Sequence, residues 1–277
     1  MADISHASVK SYFETELRSG RRLLPDPESL RDLGSYLKYS QATKLMSDPS
    51  TLRVLDVGCN HGSVEAMFQQ QYPDQVASTQ IDGIDIASEA IDQARKLQLP
   101  NCHYQSYDGC TIPFADNSFD LVVLIEVIEH VVDKQALFRE ISRVLKPFGK
   151  LFLTTPNPQC WPLRIESVMF RTLRRAFRKP PLGKDEFVYH DDLLRILETA
   201  GFESFHGGSM YAHPRLYLQL LGWCLLPPMP SSWQFRWHKY SLTRINNWKL
   251  PRFIERRFNW SLIGELQKVA GRLEASD

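Results

Sequence analysis

The sequence predicts an α/β protein built on a doubly wound, mostly parallel sheet, and three observations predict it. Short unbroken apolar runs, Val54–Val57 and Phe119–Ile125 among them, alternate with stretches of helical spacing, the pattern of buried parallel strands joined by helices. The first run breaks at Gly58 and resumes at helical spacing through Val64, Met67 and Phe68, which reads as strand, tight turn and helix. The turn itself, Asp56-Val-Gly58-Cys59-Asn60-His61-Gly62, is rich in residues that tolerate positive φ, and such a backbone can approach a ligand closely.

The elements follow in order. Residues 6–47 read as two helices split by Leu24-Pro-Asp-Pro27, with Leu33, Tyr36 and Leu37 on one face of the second. They either fold over a ligand or pack on the sheet edge. Ile81–Ile86 is a second strand ending in Asp85, with Ser88 placed to cap the next helix and Asp82 at the rim. A carboxylate at a strand's carboxyl end can accept the hydroxyls of a ribose, or it can flank the helix as a cap. His103–Gly109 is the third unit, and Asp108 there is either a ligand contact or a turn aspartate before Gly109. Phe119–Ile125 is the central strand, a helix from Gln135 to Leu145 follows, and Lys146-Pro-Phe-Gly149 stops it. A fifth strand runs from Gly149 to Asn157, and a helix near Leu193 ends at Gly201-Phe202. His190 precedes that helix and reads as fixing its start. A dinucleotide fingerprint would place glycines at 58, 60 and 63, where the chain has Gly58, Asn60 and Ser63, so pyrophosphate binding is poorly supported.

The turn resembles motif I of the class I S-adenosylmethionine-dependent methyltransferases, D-x-G-x-G-x-G, with Asn60 in place of the middle glycine. Phe119-Asp120 opening the central strand and Glu126-Val-Ile-Glu129-His130 closing it resemble a later motif of the same superfamily. The resemblance covers residues 50–157 in order and extends to 193–202. It implies a Rossmann-like, seven-stranded, mostly parallel sheet with an N-terminal helical cap, antiparallel last strands and a final strand near Trp260–Val269. It implies that Asp56, Gly58, Cys59, Asn60, Gly62, Asp85, Ile86, Asp108, Gly109 and Glu126 bind S-adenosyl-L-methionine, Asp85 at the ribose and Asp108 at the adenine amino group.

Three readings of Glu126, Glu129 and His130 stay open. Glu126 sits beside the methionine end of the cofactor while His130, with Glu129, serves as the catalytic base. Alternatively all three hold a divalent ion such as Mg2+, at i, i+3 and i+4 on one helical face, as the similar quinone-biosynthesis O-methyltransferases and small-RNA 2′-O-methyltransferases do. The third reading is structural. His61 in the turn, and Thr155, Pro156 and Asn157 ending the fifth strand, are further candidates for cofactor or acceptor contact.

At 277 residues with 43% hydrophobic content, the chain can build one full core. A net charge of +1 argues against a broad nucleic-acid surface. The five cysteines show no paired C-x-x-C spacing and read as reduced thiols of a cytoplasmic protein. No apolar run is long enough to span a membrane, and the N-terminus lacks a signal-sequence pattern. The organisation expected is a helical cap at 1–50, a core at 51–210 with a basic insert at 158–186, and an apolar, aromatic extension at 211–277. The basic helix at 167–179 either is a solvated cover or meets an anionic membrane or acidic substrate. The apolar run 216–226 reads as an interfacial segment, a lid or a dimer face. The function expected is O-methylation of a hydrophobic small molecule or lipid-like acceptor. The rivals are a non-catalytic methyltransferase-like binding module, a metal-dependent RNA 2′-O-methyltransferase and a nicotinamide oxidoreductase.

Overall fold

Strand β1 (Arg53–Val57) leads into helix α2 (Ser63–Gln71), and helix α1 (Leu33–Met46) precedes both in a computed structural model that describes residues 23–25, 32–157, 188–212 and 259–269. After α2 come β2 (Gln80–Asp85), α3 (Ser88–Lys96), β3 (Cys102–Ser106), β4 (Phe119–Ile125), a 3-10 turn at Ile128–His130 and α4 (Lys134–Val144). The described chain closes with β5 (Leu145–Pro156), α5 (His190–Thr199), β6 (Phe202–Ala212) and β7 (Asn259–Lys268). The basic helix at 167–179, the apolar run 216–226 and the first N-terminal helix lie outside the described residues.

The strands form one sheet in the order β3-β2-β1-β4-β5-β7-β6. The first five are parallel to their neighbours, and β7 runs antiparallel to both β5 and β6. The last strands form antiparallel ladders as expected: β7 inserts between β5 and β6 and pairs antiparallel with each. The chain order reverses beside β1, where β2 lies on one side and β4 on the other, and such a switch point opens a crevice at the strands' carboxyl ends.

Every residue of β1 after Arg53 is buried, as are Leu121, Val122, Val123 and Leu124 of β4, which suits central strands covered on both faces. One apolar layer packs Phe138, Ile141 and Val144 of α4 with Leu193 and Leu197 of α5 against Leu55, Val57 and Leu151. The other packs Ala42 and Met46 of α1 with Val64 and Phe68 of α2 against Val54, Leu121 and Phe152.

Several local expectations shift. Helix α1 buries Lys38, Ala42, Thr43 and Met46, while Tyr36 and Leu37 are only half-buried. Strand β5 begins at Leu145 with no intervening loop, because Leu145 pairs with Phe119 before an irregularity and Lys150 then pairs with Leu121. Phe148, at φ 63, takes the strained turn within that segment. Asp82 is no rim residue. It is 6% exposed and bonded to Arg53 at 3.2 Å, at the end of the sheet where Asp120 also accepts from the Leu52 and Arg53 amides and binds Lys146. Among the described residues no helix is long and apolar enough to cross a membrane.

Phe138 is fully buried in the α4 layer. Phe138→Ala should cost about 3–5 kcal/mol in denaturant unfolding, and a loss below about 1 kcal/mol would mean that this layer does not support the sheet.

Candidate active site

The turn after β1 is held from β2. The Gly58 and Cys59 amides donate to the carbonyl of Ile84 at 2.7 and 3.1 Å, and the Asn60 amide donates to Asp85 Oδ2 at 3.0 Å. Gly58, Asn60 and Gly62 take φ of 79°, 50° and 82°, so Asn60 does occupy the left-handed region as its side chain permits. A Cβ on Gly58 would lie 2.4 Å from Val127 Cγ2. His61 spends both ring nitrogens locally, 2.8 Å from the Asn60 side-chain oxygen and 3.1 Å from Ser63 Oγ. Ser63 in turn donates to the carbonyl of Leu23. Cys59 is buried, and burial pushes its thiol well above the usual range.

Asp85 ends β2 with its second oxygen accepting from the Ala87 amide at 2.8 Å. Ala87, not Ser88, is the residue that opens α3, and it has no side-chain cap. Burial raises the Asp85 carboxyl above its ordinary value, against the pull of the Ala87 and Asn60 amides. Ile86 beside it is half-buried. Asp108 is exposed, and its Oδ1 accepts from the Cys110 and Thr111 amides at 2.8 and 2.9 Å, a side-chain-closed turn that lets Gly109 take φ 81°.

At the end of β4, Glu126 turns at φ 54°. Its carboxylate is clamped by Lys38 of α1 at 3.1 Å and by the Thr154 hydroxyl of β5 at 3.0 Å. Glu129 is 4% exposed and accepts from the Thr155 hydroxyl at 3.3 Å. Its burial, and then the neighbouring Glu126, lift its carboxyl from 4.5 to about 8. His130 Nε2 lies 4.0 Å from Glu129 Oε1, beyond hydrogen-bond reach, and the ring keeps partial exposure.

The single helical face expected to carry Glu126, Glu129 and His130 does not form, which corrects the metal-ligand reading. Glu126 sits in a left-handed turn outside the 3-10 segment 128–130, so i, i+3 and i+4 no longer share a face. Among the described residues no three His, Cys, Asp or Glu side chains are placed to hold a metal ion. Thr155 and Asn157 are fully buried, so Thr155 serves Glu129 rather than an acceptor. His190 opens α5, 3.3 Å from Asp191.

Two side chains were missed by sequence reasoning. Lys38 is 8% exposed on an unremarkable helix, and its only signal is a lysine among the inward positions. Glu65 is fully buried on α2 beside Asp56, and burial lifts it from 4.5 to about 7. Its signal was a charged residue within the otherwise apolar start of that helix.

Asp56, Glu65 and Asp85 thus lie together behind the turn, and Glu126 and Glu129 lie together beside Lys38 at the end of β4. Asp56 Oδ2 is buried with no hydrogen-bond partner among the described residues. Such a site fits a ligand that brings positive charge and hydrogen-bond donors.

Comparison with known proteins follows the same line. Residues 55–153 match the family described as a methyltransferase domain. The chain is 31% identical over 160 residues to the O-methyltransferase cnsE of Penicillium expansum, covering 54% of this chain and 51% of that protein. It is 30% identical over 172 residues to a ubiquinone biosynthesis O-methyltransferase of Idiomarina loihiensis, covering 58% and 66%. The matches thus span from about half to just under two thirds of these relatives' length. The solved structure of Haemonchus contortus phosphoethanolamine N-methyltransferase 2 with S-adenosyl-L-methionine shares the fold at a TM-score of 0.53 and 18% identity, over 84% of this chain and 52% of that one.

Glu129 keeps its proton in the folded state up to about pH 8, whereas the unfolded chain releases it near 4.5. The folded state binds the extra proton, so stability falls as pH rises through that window and levels off above it. Glu129→Gln should accordingly raise Tm above the parent's beyond about pH 8 and leave it unchanged near pH 4.5. Equal shifts at both ends would show that the carboxyl is not held protonated.

Proposed function

We propose that this chain, whose residues 55–153 match a methyltransferase domain, is a class I S-adenosylmethionine-dependent methyltransferase and that it O-methylates a hydrophobic small molecule, of quinone-like or lipid-like character. The observation that carries the reading is the turn at Gly58–Gly62, held in the left-handed region and tied to the end of β2 at Ile84 and Asp85. The printed activity of two relatives, O-methyl transfer, supports oxygen as the acceptor atom.

The bound cofactor supplies a methyl group already activated by a sulfonium leaving group, so the chain's work is placement and proton handling. In this reading Asp85 keeps lone pairs beyond those taken by Asn60 and Ala87 and offers them to the ribose hydroxyls. Asp108 and Gly109 meet the adenine, with Ile86 against the ring. The backbone of Gly58, Cys59, Asn60 and Gly62 lies along the ligand. Glu126, fixed by Lys38 and Thr154, faces the methionine end. A hydroxyl acceptor needs a base. Glu129 holds its own proton near neutral pH, which leaves the partly exposed His130 to take the acceptor's proton. Residues 1–50 act as a cap, 51–210 as the core with its insert at 158–186, and 211–277 as an extension over an apolar acceptor. A cytoplasmic setting suits these roles, with 167–179 and 216–226 as the segments to examine for membrane-surface contact.

Calorimetry with S-adenosylhomocysteine tests the cofactor half. Asp85→Ala should weaken binding by about 1.5–3 kcal/mol, and unchanged affinity would remove Asp85 from the ribose. The acceptor half is tested by incubating the protein and S-adenosyl-L-methionine with cell extract and searching by mass spectrometry for products heavier by one methylene. With such a product in hand, His130→Ala should lower kcat by roughly a hundredfold or more. Full activity of that variant would discard the base. Full activity in chelator is expected as well, and its loss would restore a metal mechanism.

A further inference from the structure

Asp56 on β1 and Glu65 on α2 face each other at 3% and 0% exposure. Asp56 Oδ2 and both carboxyl oxygens of Glu65 take no donor from another residue among those described. The two acids lie near enough to share one hydrogen bond, provided one of them carries the proton. A buried, contacting pair of carboxylates cannot hold two negative charges without a cation, so a shared proton is its resting form.

Among the described residues, the groups around the pair supply no such cation. From the end of β2 comes Asp85, from the turn Cys59, and from β3 Tyr104 and Cys102. Helix α3 adds Ile91 and Ala94 to the cluster around Cys59 and Tyr104. Against α2, helix α1 places Thr43, whose hydroxyl donates to Gln71. Acids, thiols, a phenol and apolar side chains surround a site that opens, through Asp56, onto the turn.

Resting on the methyl-transfer reading, we propose that Glu65 is a positioning residue: it holds a proton shared with Asp56, and uptake of the sulfonium-bearing cofactor at the turn releases that proton to solvent. The O–H bond within the pair breaks, the proton passes to buffer, and the pair gains one negative charge to match the incoming positive one. Glu65 acts through Asp56, turning an acid that the turn buries into a counter-charge present only when the ligand is. The direction agrees with burial, which lifts Glu65 to about 7 and holds Asp56 above the usual carboxylate range.

The test is calorimetry of S-adenosyl-L-methionine binding to the full chain, in buffers of unequal ionisation enthalpy and across pH. The wild type should release close to one proton per cofactor below neutrality, and its affinity should rise roughly tenfold between about pH 6 and about pH 8. Glu65→Gln keeps a neutral hydrogen-bond donor against Asp56, so it should bind with a flat pH profile and release no proton. Release that persists in Glu65→Gln would place the proton elsewhere, on His61 or Glu129, and overturn the proposal. Wild-type binding without release overturns it with no variant at all, which covers a Glu65→Gln chain that fails to fold. A wild type that binds no cofactor at any pH fails the methyl-transfer reading itself, and this proposal with it.

Discussion

Three consecutive amides, those of Gly58, Cys59 and Asn60, are tied to the last two residues of β2, the first two to the carbonyl of Ile84 and the third to the carboxylate of Asp85. A chain can present three successive donors in one direction only by leaving ordinary backbone geometry, and here Gly58, Asn60 and Gly62 all do so. The bond network welds the exit of one strand to the exit of its neighbour. It fixes where α2 starts, hence where Glu65 is buried, and it orients Asp85. It also leaves so little room over Gly58 that the Val127 side chain, just past β4, touches the turn. Three strand ends become one surface because of it.

That surface is assembled at a cost in stability. Glu65 and Glu129 are each held away from water without a full set of donors, and both resist ionisation. Lys38 pairs directly with Glu126 and acts on Glu129 only through space. At the opposite end of the sheet the charges are matched, with Arg53 on Asp82 and Lys146 on Asp120. The contrast separates an end built for holding the strands together from an end left electrostatically incomplete, and incomplete sites are where a ligand's own charge can contribute.

Much of this was legible in the sequence, and the reasons differ by residue. The strand runs at 53–57 and 119–125 are continuous apolar segments, so periodicity located them. Asn60 was readable as a left-handed residue because few side chains tolerate that conformation. The placing of β7 between β5 and β6 was not readable, since it pairs strands far apart in the chain. Nor was the burial of Lys38 and Glu65, because partners brought together by folding leave no local mark; Lys38 and Glu126 are joined only when α1 lies across the end of β4. The expected ligand face of Glu126, Glu129 and His130 failed at a single φ angle, which spacing does not encode.

The insertion of β7 between β5 and β6 has a consequence for the order of assembly. β6 is synthesised first, yet in the finished sheet its described ladder partner is β7, which leaves the ribosome only after the long stretch between them. Until then β5 and β6 lack the strand that pairs with both in the described sheet. Within the described residues the sheet is completed by β7, a far-separated pairing of the kind that folds slowly.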